Sequence, residues 1–364
     1  MTSINSNDTK PSPAGAFTRA EIFSQPVSWQ SASNAVVAQK ETLRAFFTRH
    51  NDKPVVFLGC GSPYYLDMTA AALYRSLTGK LALAIPSSEI LFNIDNALAG
   101  DVTPLVIAVS RSGETSELLA ACRLLKENRG SPLALITVSE DTSLERLADL
   151  TVYIPNASEQ SVAQTRSFAA MLVATLGTVC VAADNNALVS ELLQVSTQVP
   201  TYLDRINAPI AELIGRGFDR FFFLGSGLRH GLAHEGSLKM KEMSISNSEP
   251  FHFMEFRHGP QSMIDEHTLV VGLVSARAAE AETKVLREMT GYGGTVIAIH
   301  PEGVAIEGAN IVDITLPGGF SEIASLVYIM PALHLLAFHQ AMRKGVNCDS
   351  PRNLHAWIKL PELR

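Results

Sequence analysis

PVVFLGCGS at Pro54–Ser62 and RFFFLGSGL at Arg220–Leu228 are two versions of one segment. Each is a continuous apolar run that ends on a Gly-x-Gly turn. Their Phe-Leu-Gly cores begin at Phe57 and Phe223, 166 residues apart. Further on, PLVIAVSRSGE (Pro104–Glu114) matches TLVVGLVSARA (Thr268–Ala278), with Ser110 and Ser275 165 residues apart. PLALITVSE then matches GTVIAIHPE, and ADLTVYIP matches ANIVDITLP, at separations close to 162. Four matched segments in the same order mark an internal duplication.

Within each copy, apolar runs of four to six residues alternate with helical patterns such as SELLAACRLLKEN (Ser116–Asn128). Continuous Val/Ile/Leu/Phe runs indicate strands covered on both faces, as in a parallel sheet, and the helices then serve as right-handed crossovers. The expected fold class is α/β: two tandem doubly wound parallel-sheet modules with a flavodoxin-like three-layer αβα build. The expected division is an N-terminal tail and helix at 1–44, a first module at 45–186, a helical connector at 187–217, a second module at 218–344 and a tail at 345–364. Ligands of such sheets gather at the carboxyl ends of the strands.

Composition narrows the partners. The 364 residues are 46% hydrophobic and 18% charged, with a net charge of −7, so no global basic field invites nucleic acid or acidic lipid. An anionic ligand must be held by a few local donors. Cys60, Cys122, Cys180 and Cys348 are widely spread without a Cys-x-x-Cys pair, which points to reduced thiols in a cytoplasm. The first residues, MTSINSNDTKPSPAG, lack the apolar core of a secretory signal and read as a frayed tail. Two uncharged runs, Ser167–Ala183 and Ile323–Phe338, imitate membrane spans. They fall at matching places in the repeat, which favours buried core helices, and no membrane partner is expected.

The loop SRSGET (Ser110–Thr115) lies between a strand-like run and a helix-like run. Backbone N–H groups at a helix start, with hydroxyls beside them, make either a phosphate cradle or a plain capped turn. The second copy, SARAAE (Ser275–Glu280), has lost most of the hydroxyls, so one copy is specialised. GCGSP (Gly59–Pro63) and GSGLRHG (Gly225–Gly231) fall short of a strict dinucleotide fingerprint, and no Walker-type loop occurs, so no nucleotide cofactor is expected. In AHEGSLKMKEMSISNSEPFHFMEFRHGP (Ala233–Pro260), Glu235, Lys239 and Glu242 stand at i, i+4 and i+7 on one helix face. Spacing alone favours a solvated ion-paired stripe; the sharper alternative is a general base, Glu242, tuned by a lysine. His230 and His234 stand at i and i+4 with no glutamate between them and no third ligand, so no metal is expected. His258 is either a turn histidine or a candidate acid/base.

Taken together, the duplicated module, the S-x-S-G-E-T loop, the E-G-x-L-K-x-K-E helix, the R-H-G-P turn and the D-x-P-R-N-L tail resemble the SIS (sugar isomerase) family. More narrowly they are similar to the isomerase half of glucosamine-6-phosphate synthase, to SIS-type glucosamine-6-phosphate deaminases and to AgaS-like ketose/aldose isomerases. The resemblance implies that Ser110, Arg111, Ser112 and Thr115 bind the substrate phosphate, with Ser62 in support. It implies Glu242 as the base between C1 and C2, Lys239 and Glu235 as its companions, and His258 as the ring-opening residue. In a homodimer His258 reaches in from the neighbouring subunit. Gly61, Val162, Gln164 and His355 are further candidates for substrate contact. Two residues depart from the pattern. Pro63 stands where the family has a second phosphate donor, and His355 and Ala356 stand near the place of a tail lysine, with Lys359 farther on. The expected function is an amino-sugar 6-phosphate isomerase/deaminase without cofactor or metal. The alternatives are ketose/aldose 6-phosphate isomerisation, fructosamine-6-phosphate deglycation and a non-catalytic phosphosugar sensor.

Overall fold

The computed structural model describes residues 13–358. The frayed tail expected at the first residues falls largely outside them, as does Lys359. The chain forms two five-stranded, all-parallel sheets. The first contains β1 (Val55–Gly59), β2 (Ala82–Pro86), β3 (Leu105–Ser110), β4 (Leu133–Thr137) and β5 (Leu150–Tyr153). The second contains β6 (Arg220–Gly225), β7 (Asn247–Phe251), β8 (Thr268–Leu273), β9 (Thr295–His300) and β10 (Ile311–Thr315). Strand order is β2-β1-β3-β4-β5 in one and β7-β6-β8-β9-β10 in the other, so both are doubly wound in the same sense. Corresponding strands β1 and β6, β3 and β8, β4 and β9, and β5 and β10 are the four segments matched in the sequence.

Burial explains the continuous apolar runs. Along β1, Val55 and Phe57 face a core shared by the two sheets, while Val56 and Leu58 pack under the outer helices. Along β6, Phe221 and Phe223 point into the shared core, and Phe222 and Leu224 into an outer cluster of their own. Period-two alternation is present, but both faces are apolar because both are covered.

The shared core is filled by the helices Gln25–Ala38, Arg166–Ala182 and Ile329–Lys344. Among the described residues, one stretch, Glu322–Lys344, is long and apolar enough to cross a membrane, and 83% of that window is buried against the chain's own core. The packing is close. A Cβ on Gly236 would come within 2.8 Å of the Phe223 ring and 2.9 Å of Leu333, so the helix His230–Ser244 sits tight between β6 and the Ile329–Lys344 helix. That position removes its inward face from water.

Two strands carry no strong sequence signal. β7, NSEPF, reads as a polar stretch containing Pro250, yet it pairs with β6 as an edge strand. An edge tolerates proline and needs only one apolar face. β2 occupies the corresponding edge of the first sheet and also contains a proline, Pro86, as its last residue.

Candidate active site

The carboxyl ends of β1 and β3, the helix His230–Ser244 of the second module, and the segments 162–164 and 354–358 line one cavity. Its wall includes Gly61, Ser62, Ser110, Arg111, Ser112, Thr115, Val162, Gln164, Lys239, Glu242 and His355. Groups predicted separately along some 300 residues are therefore neighbours.

The Ser110–Thr115 loop is shaped by its own side chains. The Ser110 hydroxyl accepts from the Gly113 N–H at 3.0 Å, and the Ser112 hydroxyl from the Glu114 N–H at 3.2 Å. Gly113 has φ +64°, and a Cβ there would lie 2.4 Å from Thr142 Oγ1, so no other residue fits. Glu114 turns its carboxylate onto the Ser143 N–H at 2.7 Å, away from the helix start. Thr115 is the N-cap of the helix Ser116–Arg129, and its side chain makes no capping bond. First-turn N–H groups have no partner within a helix, and the helix dipole lies behind them, an arrangement chemically able to accept an anion. On the other wall Gly61, at φ +62°, precedes the helix Ser62–Thr78, and Pro63 sits in its first turn.

Arg111 departs from the expectation. Its guanidinium lines the cavity, but Nη1 donates to Glu159 Oε1 at 3.2 Å and to the Val162 carbonyl at 3.0 Å, while Nη2 donates to the Ala356 carbonyl at 2.8 Å. Long side chains choose partners that are remote in sequence, which a local motif does not show.

Glu235, Lys239 and Glu242 form a buried ion-pair array, not a solvated stripe. Lys239 has no exposed surface, and its Nζ lies 2.5 Å from Glu242 Oε2 and 3.4 Å from Glu235 Oε1. The 3.4 Å pair falls short of hydrogen-bond geometry, and both Glu235 oxygens lack a hydrogen-bond partner. Burial pushes Glu235 up to about 8, against the pull of Lys239, so its surroundings favour the protonated form. Burial alone would lower the Lys239 ammonium, but Glu235 and Glu242 outweigh it and hold it above its ordinary value. Glu242 and Lys239 line the cavity, and Glu242 is the more exposed of the two.

Several groups escaped sequence reasoning. Glu159, wholly buried, collects Arg111 and the Thr165 N–H at 3.1 Å. Gln164, already a candidate from the sequence, places its buried and unpartnered Oε1 on the cavity wall. His334 is wholly buried with both ring nitrogens unpartnered, and burial, then Lys239, pushes it down to about 3. Asp67 lies under the first glycine turn, where a Cβ on Gly59 would be 2.7 Å from its Oδ2; burial raises its carboxyl well above the usual range. The lone histidine in an apolar helix was the available signal for His334, since a buried imidazole needs a reason to be there.

His258 follows the short helix Phe253–Phe256 and is exposed; the chain does not bring its own His258 to Glu242. His230 and His234 approach at Nε2–Nε2 3.2 Å, and His230 stacks on His252 at 3.6 Å. Among the described residues no group of three or more potential metal ligands is assembled.

The duplicate cleft in the second module also keeps a cavity, but carboxylates line it. Glu282 Oε2 accepts from the Ser275 N–H at 2.7 Å and from the Ser275 hydroxyl at 3.0 Å. Glu322 Oε1 accepts from the Ala276 N–H at 3.0 Å and pairs with buried Arg229 at 2.8 Å. Two carboxylates thus hold the Ser275 and Ala276 N–H groups in the second module.

Comparison with known proteins bears on the family and the fold. The glutamine–fructose-6-phosphate aminotransferase (isomerizing) of Pseudomonas aeruginosa is 31% identical, over 93% of this chain and 58% of that protein. The chain spans little more than half the length of the curated relatives it matches. The glucosamine-6-phosphate deaminase of Thermotoga maritima is 26% identical with a TM-score of 0.73, over 91% of this chain and all of that one. The tagatose-6-phosphate ketose/aldose isomerase of Escherichia coli is 24% identical with a TM-score of 0.84, over 94% of this chain and 98% of that one, a likeness of fold. The SIS domain model matches residues 50–179 and 216–310, one match on each sheet, and the chain belongs to the SIS domain family.

Proposed function

We propose that the chain is a phosphosugar isomerase that deaminates an amino-sugar 6-phosphate to a ketose 6-phosphate and ammonia. The observation that carries this reading is the placement of Glu242 and Lys239 in one cavity with the open Ser110–Thr115 loop. The loop, with Ser62, takes the phosphate and fixes the sugar's far end. Glu242 then moves the proton between C1 and C2, and the Lys239 ammonium, charged and dry, stabilises the negative charge that develops on the neighbouring oxygen. Glu235 keeps its own proton and so avoids a second charge beside Lys239. Gln164 Oε1 supplies an acceptor for a sugar hydroxyl. Ring opening falls to His258 of a second copy in a homodimer, because the chain's own His258 lies away from the cavity. Hydrolysis of the ketimine releases ammonia. These proton transfers need no redox cofactor.

A second reading, aldose–ketose isomerisation without loss of nitrogen, is supported by His355 of the 354–358 segment on the cavity wall, where the family resemblance has a lysine. Incubation with glucosamine 6-phosphate, followed for ammonia and fructose 6-phosphate, separates the two. Ammonia release lost in Glu242→Gln, with sugar-phosphate binding retained, supports deamination. Ketose–aldose conversion without ammonia supports the second reading. Binding without either reaction leaves a sensor.

A further inference from the structure

Arg111 is held on three sides. Its side chain is 11% exposed, and Nη1 reaches Glu159, the Val162 carbonyl and, at 3.3 Å, the Ser161 carbonyl. Glu159 is fixed in turn by the Thr165 and Ser167 N–H groups and the Ser167 hydroxyl, at the start of the helix Arg166–Ala182. The remaining nitrogen, Nη2, donates to Ala356.

Ala356 belongs to a segment, residues 349–358, that is tied down at both ends. At its root the Asp349 carboxylate accepts from the Thr18 N–H and hydroxyl, both at 2.8 Å, and the Asp349 carbonyl accepts from the Val162 N–H at 3.0 Å. At its far end the Ile358 carbonyl accepts from the Ser116 hydroxyl at 3.2 Å, beside Arg111's bond to Ala356. Leu354 and His355, between the ends, line the cavity. The segment is a strap, and the Ser110–Ser116 stretch holds its free end. A planar guanidinium carries donors on separate nitrogens, so Nη1 can serve Glu159 while Nη2 serves Ala356.

We propose that Arg111 is a positioning residue, a clasp that holds the 349–358 strap shut against the Ser110–Thr115 loop, and not a ligand of the substrate phosphate. Because the clasp and the anion cradle share one loop, an anion that orders the loop favours the closed strap, and a closed strap retains the anion. The coupling rests on the anion-binding reading given above; the clasp does not.

The strap carries its own reporter. The chain has two tryptophans: Trp29 is wholly buried and Trp357 lies in the strap, 38% exposed. Acrylamide quenching of tryptophan fluorescence therefore follows Trp357. Arg111→Gln loses a charge-assisted hydrogen bond and is expected to shift the strap's closed-to-open ratio about tenfold toward open in the ligand-free protein, raising the quenching constant. Ser116→Ala, which leaves Glu159 untouched, shifts it in the same direction, so a folding defect in the Arg111 variant would not hide the effect. Inorganic phosphate is expected to protect Trp357 in the unaltered chain, and its Kd is expected to change less than about threefold in Arg111→Gln. Unchanged quenching together with a tenfold or greater loss of phosphate affinity overturns the clasp and makes Arg111 a phosphate ligand. Phosphate that binds without protecting Trp357 overturns the coupling. Absence of phosphate binding to the unaltered chain overturns the anion reading instead, and the ligand-free comparison still decides the clasp.

Discussion

The Glu282 carboxylate holds both the backbone N–H and the hydroxyl of Ser275. Burial raises the Glu282 carboxyl, although the Ser275 bonds pull it down. Removing the carboxylate should expose a second anion site at the start of the helix Ala279–Gly291. Glu282→Ala is expected to bind two inorganic phosphates per chain where the unaltered protein binds one, as counted by titration calorimetry. A stoichiometry that stays at one shows that the loop lost more than its vacancy.

Lys239 is a buried cation between two carboxylates, and its removal should be felt throughout the second module. Lys239→Met leaves the Glu242 carboxylate without its cation, a change that typically costs about 3–5 kcal/mol. Glu235 already holds a proton, so adding Glu235→Gln should recover little of that loss, while adding Glu242→Gln should recover most of it. Urea denaturation of the single and double variants measures the difference. Equal recovery from both second changes contradicts the assignment of the proton.

The raised Glu235 carboxyl fixes the sign of the stability–pH curve above neutrality. Its ordinary value is 4.5 and its folded value is about 8, so the folded state binds the extra proton in that window. Its contribution is complete below 4.5 and is lost as the pH rises to about 8. His334, His230 and His234, lowered from 6.5 to about 3, 4 and 4, act in reverse and weaken the fold as the pH falls below 6.5. Between pH 6.5 and 8 the Glu235 effect should therefore stand clear of those histidines, with a slope of at most about 1.4 kcal/mol per pH unit. Chemical denaturation across that window should show the decline, and Glu235→Gln should flatten it.

Gly113 and Gly130 both have φ near +60°, but only Gly113 has a neighbour in the way. Gly130→Ala should cost about 1 kcal/mol in thermal unfolding and leave phosphate binding alone. Gly113→Ala adds a collision with Thr142 inside the loop and should lower phosphate affinity at least about tenfold. Comparable phosphate affinity in the two variants would refute the role of the loop's shape.

What could be read ahead of the coordinates was whatever repeats or stays local. The two Phe-Leu-Gly strands announced both sheets, because strands buried on two faces must be apolar throughout. β7 was missed, since an edge strand with Pro250 obeys weaker rules. The i, i+4, i+7 spacing of Glu235, Lys239 and Glu242 put them on one face, but nothing local said that the face would be dry. Burial came from Gly236, which lets the helix settle against Phe223 and Leu333. Arg111 was assigned by its motif to the phosphate, while its partners lie 48 to 245 residues away. A contact of that range leaves no trace in a short pattern.

The strap's two anchorages also set an order of assembly. Its root is gripped by Thr18, on the helix Ala16–Phe23, and its far end by Ser116, so the first helix waits for nearly the last described residues. During synthesis both sheets can be complete while the cavity still lacks one wall. A chain shortened before residue 349 would therefore be expected to keep its two sheets and to hold its substrate poorly, a loss of function without a loss of fold.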